Sequence, residues 1–511
     1  MYRCIAVVAG ISVGVCSLAW AAEPVETGGA PDPSSWTTPR VAPSVKPTPQ
    51  SIAKENLQVV DFGGVLGDVF SPFKPHKSGD VFEYSEDVVV RYNRPMDLDS
   101  LQGHLAIEPK TSFSIYAGYD YGKSPKISVR KLPGVSYTLT IRAGVKGQNN
   151  TVDSSEHVFV FTTDRNVPQV TPLRATPNEP YRYGTLGHPF PYSLGGEHAD
   201  QEINMLAEAG VGYVRIDYVG AQSNPKKGEY DFSIQDKILD KLIARGITEL
   251  PIIDQYTAPS WANRGQKYPA IWENPDDFAD FAGAVARHMG EKYPQVTRIE
   301  IFNEPNLHGW WTHPDPNSPY ADRSGKAAAT YMIAAYKAIK AANPKITVVG
   351  PALATGGRHT SSKSYFKTMY DNGCRRGNGW DVLSIHNYSW FNPTATISGS
   401  NEARFDVYKD MQSIATAHGD EDVHVMLTEW GYSSFDSPLG FAPEVQAYYL
   451  GLGFNRMLAD PTVDGVTYVN IYNPGKDFWG MTAVLDKDYK PLPAFYVFQK
   501  FAKAQPAVKG K

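Results

Sequence analysis

Two short segments hold the residues best equipped for chemistry. Arg298 to Asn306 reads R-I-E-I-F-N-E-P-N, and Val423 to Ser433 reads V-H-V-M-L-T-E-W-G-Y-S. Each is an apolar, strand-like run that ends in a glutamate, Glu304 in the first and Glu429 in the second. A charge at the end of a buried strand must be solvated in a cleft or paired, because burying it alone is costly. One such glutamate reads equally well as a rim ion pair or a helix-cap residue. Two in the same context favour chemistry. At a separation of about 5–5.5 Å, one carboxylate can attack an anomeric carbon while the other protonates the leaving oxygen and later deprotonates water. The nucleophile must be ionised, so Glu429 needs donors around it. The acid must keep its proton near neutrality, so Glu304 needs a raised pKa, to which the charge of Glu429 would contribute.

The elements that position these residues follow from periodicity. From residue 180 to 507 strand-like and helical stretches alternate. The strand candidates are Phe190–Leu194, Tyr213–Tyr218, Glu249–Asp254, Arg298–Phe302, Thr347–Pro351, Val382–His386, His424–Thr428 and Val466–Ile471. Alternation of this kind, eight times over, predicts a (β/α)8 barrel, with a doubly wound open sheet as the alternative. In a barrel Glu304 ends the fourth strand and Glu429 the seventh, so the two can face each other across the C-terminal mouth. Residues 52–165 read differently. Short strands at Val88–Tyr92, His104–Ile107, Ser112–Tyr116, Lys126–Val129, Ser136–Ile141 and His157–Phe161, separated by Gly- and Pro-containing turns, predict a small β-sandwich ahead of the barrel.

Composition narrows the partners. With 511 residues and 42% apolar content, the chain can bury more than one core. Residues 1–22 carry Arg3, an apolar run and Ala19-Trp20-Ala21, the pattern of a cleaved secretory signal, read in preference to a lipoprotein signal at Cys16. Residues 23–51, rich in Pro, Ser, Thr and Gly, read as a disordered linker. Loss of the signal leaves Cys374 as the sole cysteine, so no internal disulfide is available. It also removes Arg3, moving the net charge from -5 to about -6. A mildly acidic chain has no electrostatic footprint for nucleic acid, and the only long apolar run is too short for stable membrane insertion. The expected protein is a secreted or periplasmic monomer.

I-F-N-E-P-N at strand four and L-T-E-W-G at strand seven resemble the retaining glycoside hydrolases of clan A, with a layout most similar to family 39, which includes β-xylosidases and exopolysaccharide endoglycosidases. The segments V-V-V-R-Y-N-R-P-M-D and F-V-F-T-T-D in the N-terminal region resemble bacterial Ig-like domains. The clan resemblance implies Glu304 as acid/base, Glu429 as nucleophile and Asn303 as a hydrogen-bond partner of the sugar 2-hydroxyl. It implies sugar or nucleophile contacts for His386 and Tyr388 at the end of strand six, and a sugar platform for Trp479. Arg215 is implied to orient the nucleophile, its alternative being an ion pair with Asp217 or Asp254. Trp430 either meets the sugar or packs beneath it. Trp311, with Trp261 and Trp310, lies on loops where tryptophans serve either subsites or the core. His308, His313 and Asp315 lack ligand-grade spacing, and no metal or cofactor is implied. The expected substrate is a polysaccharide or oligosaccharide, with endo action on an exopolysaccharide as the specific reading and exo action on oligosaccharides as its variant. A non-catalytic carbohydrate-binding or matrix protein is the rival.

Overall fold

The computed structural model describes residues 56–504, apart from 67–71, 119, 121, 149, 174–179, 188–195, 197, 356–359, 390, 395–403 and 473–479. The signal at 1–22, the linker at 23–51, the strand expected at Phe190–Leu194 and Trp479 therefore lie outside the described residues.

Eight parallel strands close into a barrel. They are β1 (Tyr183–Gly187), β2 (Tyr213–Asp217), β3 (Thr248–Ile253), β4 (Arg298–Ile301), β5 (Thr347–Ala354), β6 (Val382–His386), β7 (Val425–Trp430) and β8 (Val463–Tyr468). Closure is completed by β1 on β8, with Tyr183 opposite Val466 and Thr185 opposite Tyr468. The first strand precedes the stretch expected for it, and the last begins three residues earlier than expected. β3, T-E-L-P-I-I, is buried at every position, as a strand covered on both faces must be. Helices between the strands supply the outer layer. Pro275–Lys292 starts with Asn274 capping the Asp276 N–H and proline in the first turn, and it buries an alanine-rich face. Lys326–Ala342 packs beside it, with Ala338 against Gly283.

The closed end of the barrel is plugged by Tyr181, Tyr213, Leu250, Val349, Val382 and Met426. Polar pairs lie at the level of the plug, toward the N-terminal ends of the strands. Tyr213 Oη meets Thr467 Oγ1 at 2.7 Å, and Arg298 reaches Asp464 at 3.1 Å. Alternation along β2 and β4 continues this interior upward from Tyr213 to Arg215 and from Arg298 to Glu300.

Ahead of the barrel, a five-stranded and a four-stranded sheet share one hydrophobic core that includes Phe62, Val88, Ile127, Leu139 and Phe161. The strand at Val59–Leu66 lies ahead of those expected there, and Leu98–His104 is a short helix capped by Asp97. Among the described residues no helix is long and apolar enough to cross a membrane.

Gly184 in β1 is where the plug leaves no space for a side chain. A Cβ there would lie 2.3 Å from the Tyr213 ring. Gly184→Ala is expected to destabilise the barrel by about 1–3 kcal/mol, measured by urea unfolding, with part of the loss recovered when Tyr213→Leu is added.

Candidate active site

The mouth of the barrel is organised around one buried guanidinium. Arg215 Nε donates to Glu300 Oε2 at 2.5 Å, and Nη1 donates to Glu429 Oε1 at 2.8 Å. Nη2 donates to Asn303 Oδ1 at 3.1 Å and contacts His386 Nε2 at 3.4 Å. Burial alone would disfavour its charge, but Glu300 and Glu429 outweigh that cost and raise its pKa. The sequence offered Asp217 or Asp254 as ion-pair partners, and the structure gives Glu300 and Glu429 instead. Glu300 went unnoticed because it sits inside an apolar strand. Its signal was the alternation R-I-E-I, which sends Glu300 to the lumen and its isoleucine neighbours to the helices.

Glu304 and Asn303 are set by an irregular backbone beyond β4. Phe302 (φ 76°) and Glu304 (φ 49°) both occupy the left-handed region, which costs non-glycine residues energy and persists only where surroundings enforce it. Enforcement comes from two directions. Gln255, fully buried just beyond β3, accepts the Asn303 N–H at 3.0 Å and donates to the Asn303 carbonyl at 2.9 Å. The Glu304 N–H donates to the carbonyl of Ala352 on β5 at 2.9 Å. Asn303 Nδ2 donates to Tyr256 Oη at 3.2 Å. Gln255 and Tyr256 were not foreseen, since a loop glutamine and a loop tyrosine carry no motif.

On the other side, a register irregularity between β6 and β7 brings His386 opposite Glu429. His386 Nδ1 lies 2.9 Å from Glu304 Oε1 and 3.4 Å from Glu429 Oε2. Tyr388 Oη donates to Glu429 Oε2 at 3.0 Å. Burial pushes the His386 pKa down to about 4, so the ring is neutral at pH 7. Arg215 can only donate, so the His386 nitrogen facing it is the acceptor. Nδ1 then carries the hydrogen and donates toward Glu304 Oε1. Burial also pushes Glu304 up to about 8, against the opposing pull of Arg215 and a hydrogen bond with Trp310. The expectation that Glu429's charge would help raise Glu304 gives way to desolvation as the leading cause, because Arg215 already neutralises Glu429.

Carboxylate oxygens of Glu304 and Glu429, together with a His386 ring nitrogen, lie within 4.8 Å of one another. One histidine and two carboxylates suit a divalent cation by donor type. Here the guanidinium of Arg215, bonded to Glu429 and touching His386, already supplies the positive charge and would repel a second. His313 is committed elsewhere, with both ring nitrogens bonded within its loop to the backbone at Asp315 and Glu273.

The tryptophans separate into two groups. Trp430 is buried edge-on among Phe405, Tyr432, Phe454 and Tyr468, so it is a core residue with no path to a ligand. Trp311 is likewise fully buried against Phe302 and Tyr331, its indole N–H donating to the Tyr320 carbonyl at 3.1 Å. Both fall away as sugar contacts, because an apolar ring next to a strand end packs inward when a helix covers it. Trp261 is half-buried, its N–H on the Asn224 carbonyl at 2.9 Å. Among the described residues, Trp310 is the tryptophan at the site. It hydrogen-bonds Glu304 and stacks on Tyr256 at 4.6 Å. Tyr268, 52% exposed, continues this aromatic face, 6.2 Å from Trp310. Asn387 turns away from the site to the Phe405 carbonyl.

The comparisons with known proteins agree with this architecture. Residues 184–468, more than half of the chain, match the family described as Cellulase (glycosyl hydrolase family 5). The β-galactosidase of Heyndrickxia coagulans is 25% identical over 162 residues, 28% of this chain and 24% of the relative. A β-galactosidase of Bifidobacterium bifidum is 24% identical over 164 residues, 28% of this chain and 23% of that protein. The chain thus spans about a quarter of the length of the curated relatives it matches. Among solved structures, a family 39 glycoside hydrolase from Bacteroides cellulosilyticus WH2 superposes with a TM-score of 0.47 at 17% identity, covering 86% of this chain and 82% of that one.

The protonation of Glu304 has a measurable signature in stability. Its pKa is higher folded than unfolded, so folding is favoured while the group stays protonated. That advantage is present below the ordinary glutamate range and is lost as pH rises through about 8. Glu304→Gln cannot ionise. Its melting temperature relative to wild type is expected to climb by several degrees between pH 5 and pH 8.5 and then level off, read by calorimetry across pH.

Proposed function

The chain belongs to the cellulase family, glycosyl hydrolase family 5, and from that premise we propose that it is a retaining glycoside hydrolase acting by double displacement. The observation that carries this reading is the opposed pair of carboxylates, with oxygens within 4.8 Å, in unlike environments. That spacing suits direct attack by one carboxylate.

Glu429 is the nucleophile. Arg215 and Tyr388 donate to its two oxygens and aim it. Glu304 is the acid, protonated at neutral pH, with its Oε1 accepting from His386. Glu429 attacks the anomeric carbon as the C–O bond to the leaving sugar breaks, and the Glu304 proton passes to the departing oxygen. The resulting ester removes the charge of Glu429. Arg215 then stays bonded to Glu300 but no longer faces the charge of Glu429, and its stronger field lowers the Glu304 pKa, readying it as base. Glu304 next takes a proton from water, which attacks the anomeric carbon and frees Glu429. Asn303 Nδ2 has two hydrogens, one on Tyr256, leaving a donor for the sugar 2-hydroxyl. His386 holds Glu304 without itself changing charge.

The substrate is a glycan chain, and the curated relatives' activity on β-galactosides makes a β-linked sugar the first to test. Trp310 lies on the acid's side of the site, which is the side of the leaving sugar, and Tyr268 extends that face into solvent. Such a platform favours a polymer or oligomer over a small aglycone. Action outside the cytoplasm accords with reading residues 1–22 as a secretory signal.

Reducing-end release across a glycan panel tests the activity. Glu429→Gln is expected to fall to background. Glu304→Gln should lose about 10²–10⁴-fold on natural glycans, and far less on aryl glycosides whose leaving groups need no proton. The alkaline limb of kcat/KM is expected near pH 8 and should vanish in Glu304→Gln. Wild-type protein that binds glycan but never releases reducing ends would overturn the reading in favour of a binding protein.

Tyr268→Ala is expected to lower kcat/KM about 3–10-fold on oligosaccharides, the worth of one aromatic contact. On an aryl monoglycoside the rate should stay unchanged.

A further inference from the structure

We propose that the N-terminal β unit is part of the active-site framework: Glu83 and Ser85 are positioning residues that fix the loop carrying Tyr388, and through Tyr388 they fix Glu429. The proposal rests on the hydrolase reading of the site.

The turn between the sandwich strands Val81–Phe82 and Glu86–Tyr92 docks on the barrel. Tyr84 joins the barrel's own hydrophobic cluster, and its hydroxyl donates to the Asp164 carbonyl at 2.8 Å. Glu83 works in two directions. Its Oε2 accepts from Ser85 N and Ser85 Oγ, both at 2.7 Å, which shapes the turn. Its Oε1 accepts from the barrel, from Tyr449 Oη at 2.5 Å and from Asn392 Nδ2 at 2.9 Å. Ser85 Oγ accepts the Asn392 N–H at 3.0 Å. The ammonium of Lys131, buried in the sandwich, donates to the Tyr84 carbonyl at 3.2 Å and to the Val129 carbonyl at 3.3 Å, tying the turn to its own sheet.

The barrel groups held in this way lead to the nucleophile. Asn392 lies four residues beyond Tyr388. The same loop is gripped from its other side by Tyr432 Oη, which donates to the Phe391 carbonyl at 3.0 Å. Tyr432 lies three residues beyond Glu429, and its ring rests on that of Tyr449 at 5.4 Å. Glu83, Tyr449, Tyr432 and Asn392 therefore form a closed circuit around the ends of β6 and β7. The two strand ends meet again where Tyr388 Oη donates to Glu429 Oε2. A second contact, Ser112 Oγ to Asp436 Oδ1 at 2.9 Å, secures the loop after β7. Displacing a positioning group by about 1 Å can cost on the order of 10²-fold in rate, so a clamp on Tyr388 acts on turnover more than on binding.

The test uses full-length protein: wild type, Glu83→Ala, Glu83→Gln, Tyr388→Phe and the double variant Glu83→Ala/Tyr388→Phe. Glu429 is faced by Arg215 from β2, by His386 and Tyr388 from β6 and by Glu304 beyond β4. Of these groups, Tyr388 is the one whose contact Glu83→Ala is expected to loosen. Its kcat is expected to fall about tenfold or more with KM nearly unchanged, and the acid limb of its pH profile should move to higher pH. The double variant should be no slower than Tyr388→Phe alone. Glu83→Gln keeps an oxygen for Tyr449 and Asn392 and should retain most activity. Fully additive losses, or an activity loss that follows the folded fraction with an unmoved acid limb, would overturn the proposal. Hydrogen exchange of the amides at 386–394 and 429–434 reads the clamp without substrate. Protection there should drop in Glu83→Ala, and unchanged protection would overturn the proposal even were wild type to cleave no glycan. Inactive wild type would count against the hydrolase reading alone.

Discussion

Arg215 is the constraint on which the rest of this mouth depends. A guanidinium with so little solvent is sustained only by carboxylates, and two are present, one for structure and one for chemistry. Breaking a buried pair by removing one partner typically costs 3–5 kcal/mol, because the other charge is left stranded. Glu300 therefore does more than fill the lumen. In the proposed double displacement it would hold Arg215 in place while Glu429 is an ester and no longer an anion. Without it, the guanidinium would have to be rehydrated or displaced in every cycle. Asn303 and His386 take the remaining donor of the same fork, so four strands, β2, β4, β6 and β7, are registered to one side chain.

The contrast between the two catalytic-type glutamates follows from that arrangement. Glu429 is met by two donors and retains some exposure to the cleft. Glu304 is nearly buried, with a neutral histidine at one oxygen and an indole nearby. Identical side chains thereby sit in unlike surroundings, and burial is the leading cause of the raised Glu304 pKa. The strained backbone at Phe302 and Glu304 delivers the acid to a place no regular strand end would reach, at a conformational cost carried by Gln255 and Ala352.

Much of this was legible from residue order. Both glutamates, Asn303, His386 and Tyr388 lie at or just beyond strand ends whose apolar runs announce themselves, Arg215 lies within its strand, and the structure brings all six together. What escaped did so for physical reasons. Glu300 is hidden because a lumen-facing charge is locally indistinguishable from an oddity in a hydrophobic strand. Gln255 acts through its amide on another residue's backbone, which no local pattern encodes. Trp311 and Trp430 misled because the same ring serves a sugar or a core, and only the covering helix decides. The start of the barrel was misplaced because β1, Y-G-T-L-G, is short and glycine-rich, with Gly184 dictated by a tyrosine on the next strand. Six sandwich strands were legible while Val59–Leu66 was not, and the docking on the barrel is long-range and therefore silent in sequence.

That docking also bears on how the molecule comes into being. Glu83 meets Asn392 across 309 positions and Tyr449 across 366. Contacts this remote require nearly the whole chain to be closed before they return any energy, which places them late in assembly. The sandwich and most of the barrel can be native while the loop bearing Tyr388 is still unanchored. On this reasoning the surroundings of Glu429 would mature by docking of the two units, after the collapse that forms either one. A newly made chain would acquire its shape before it acquires its competence.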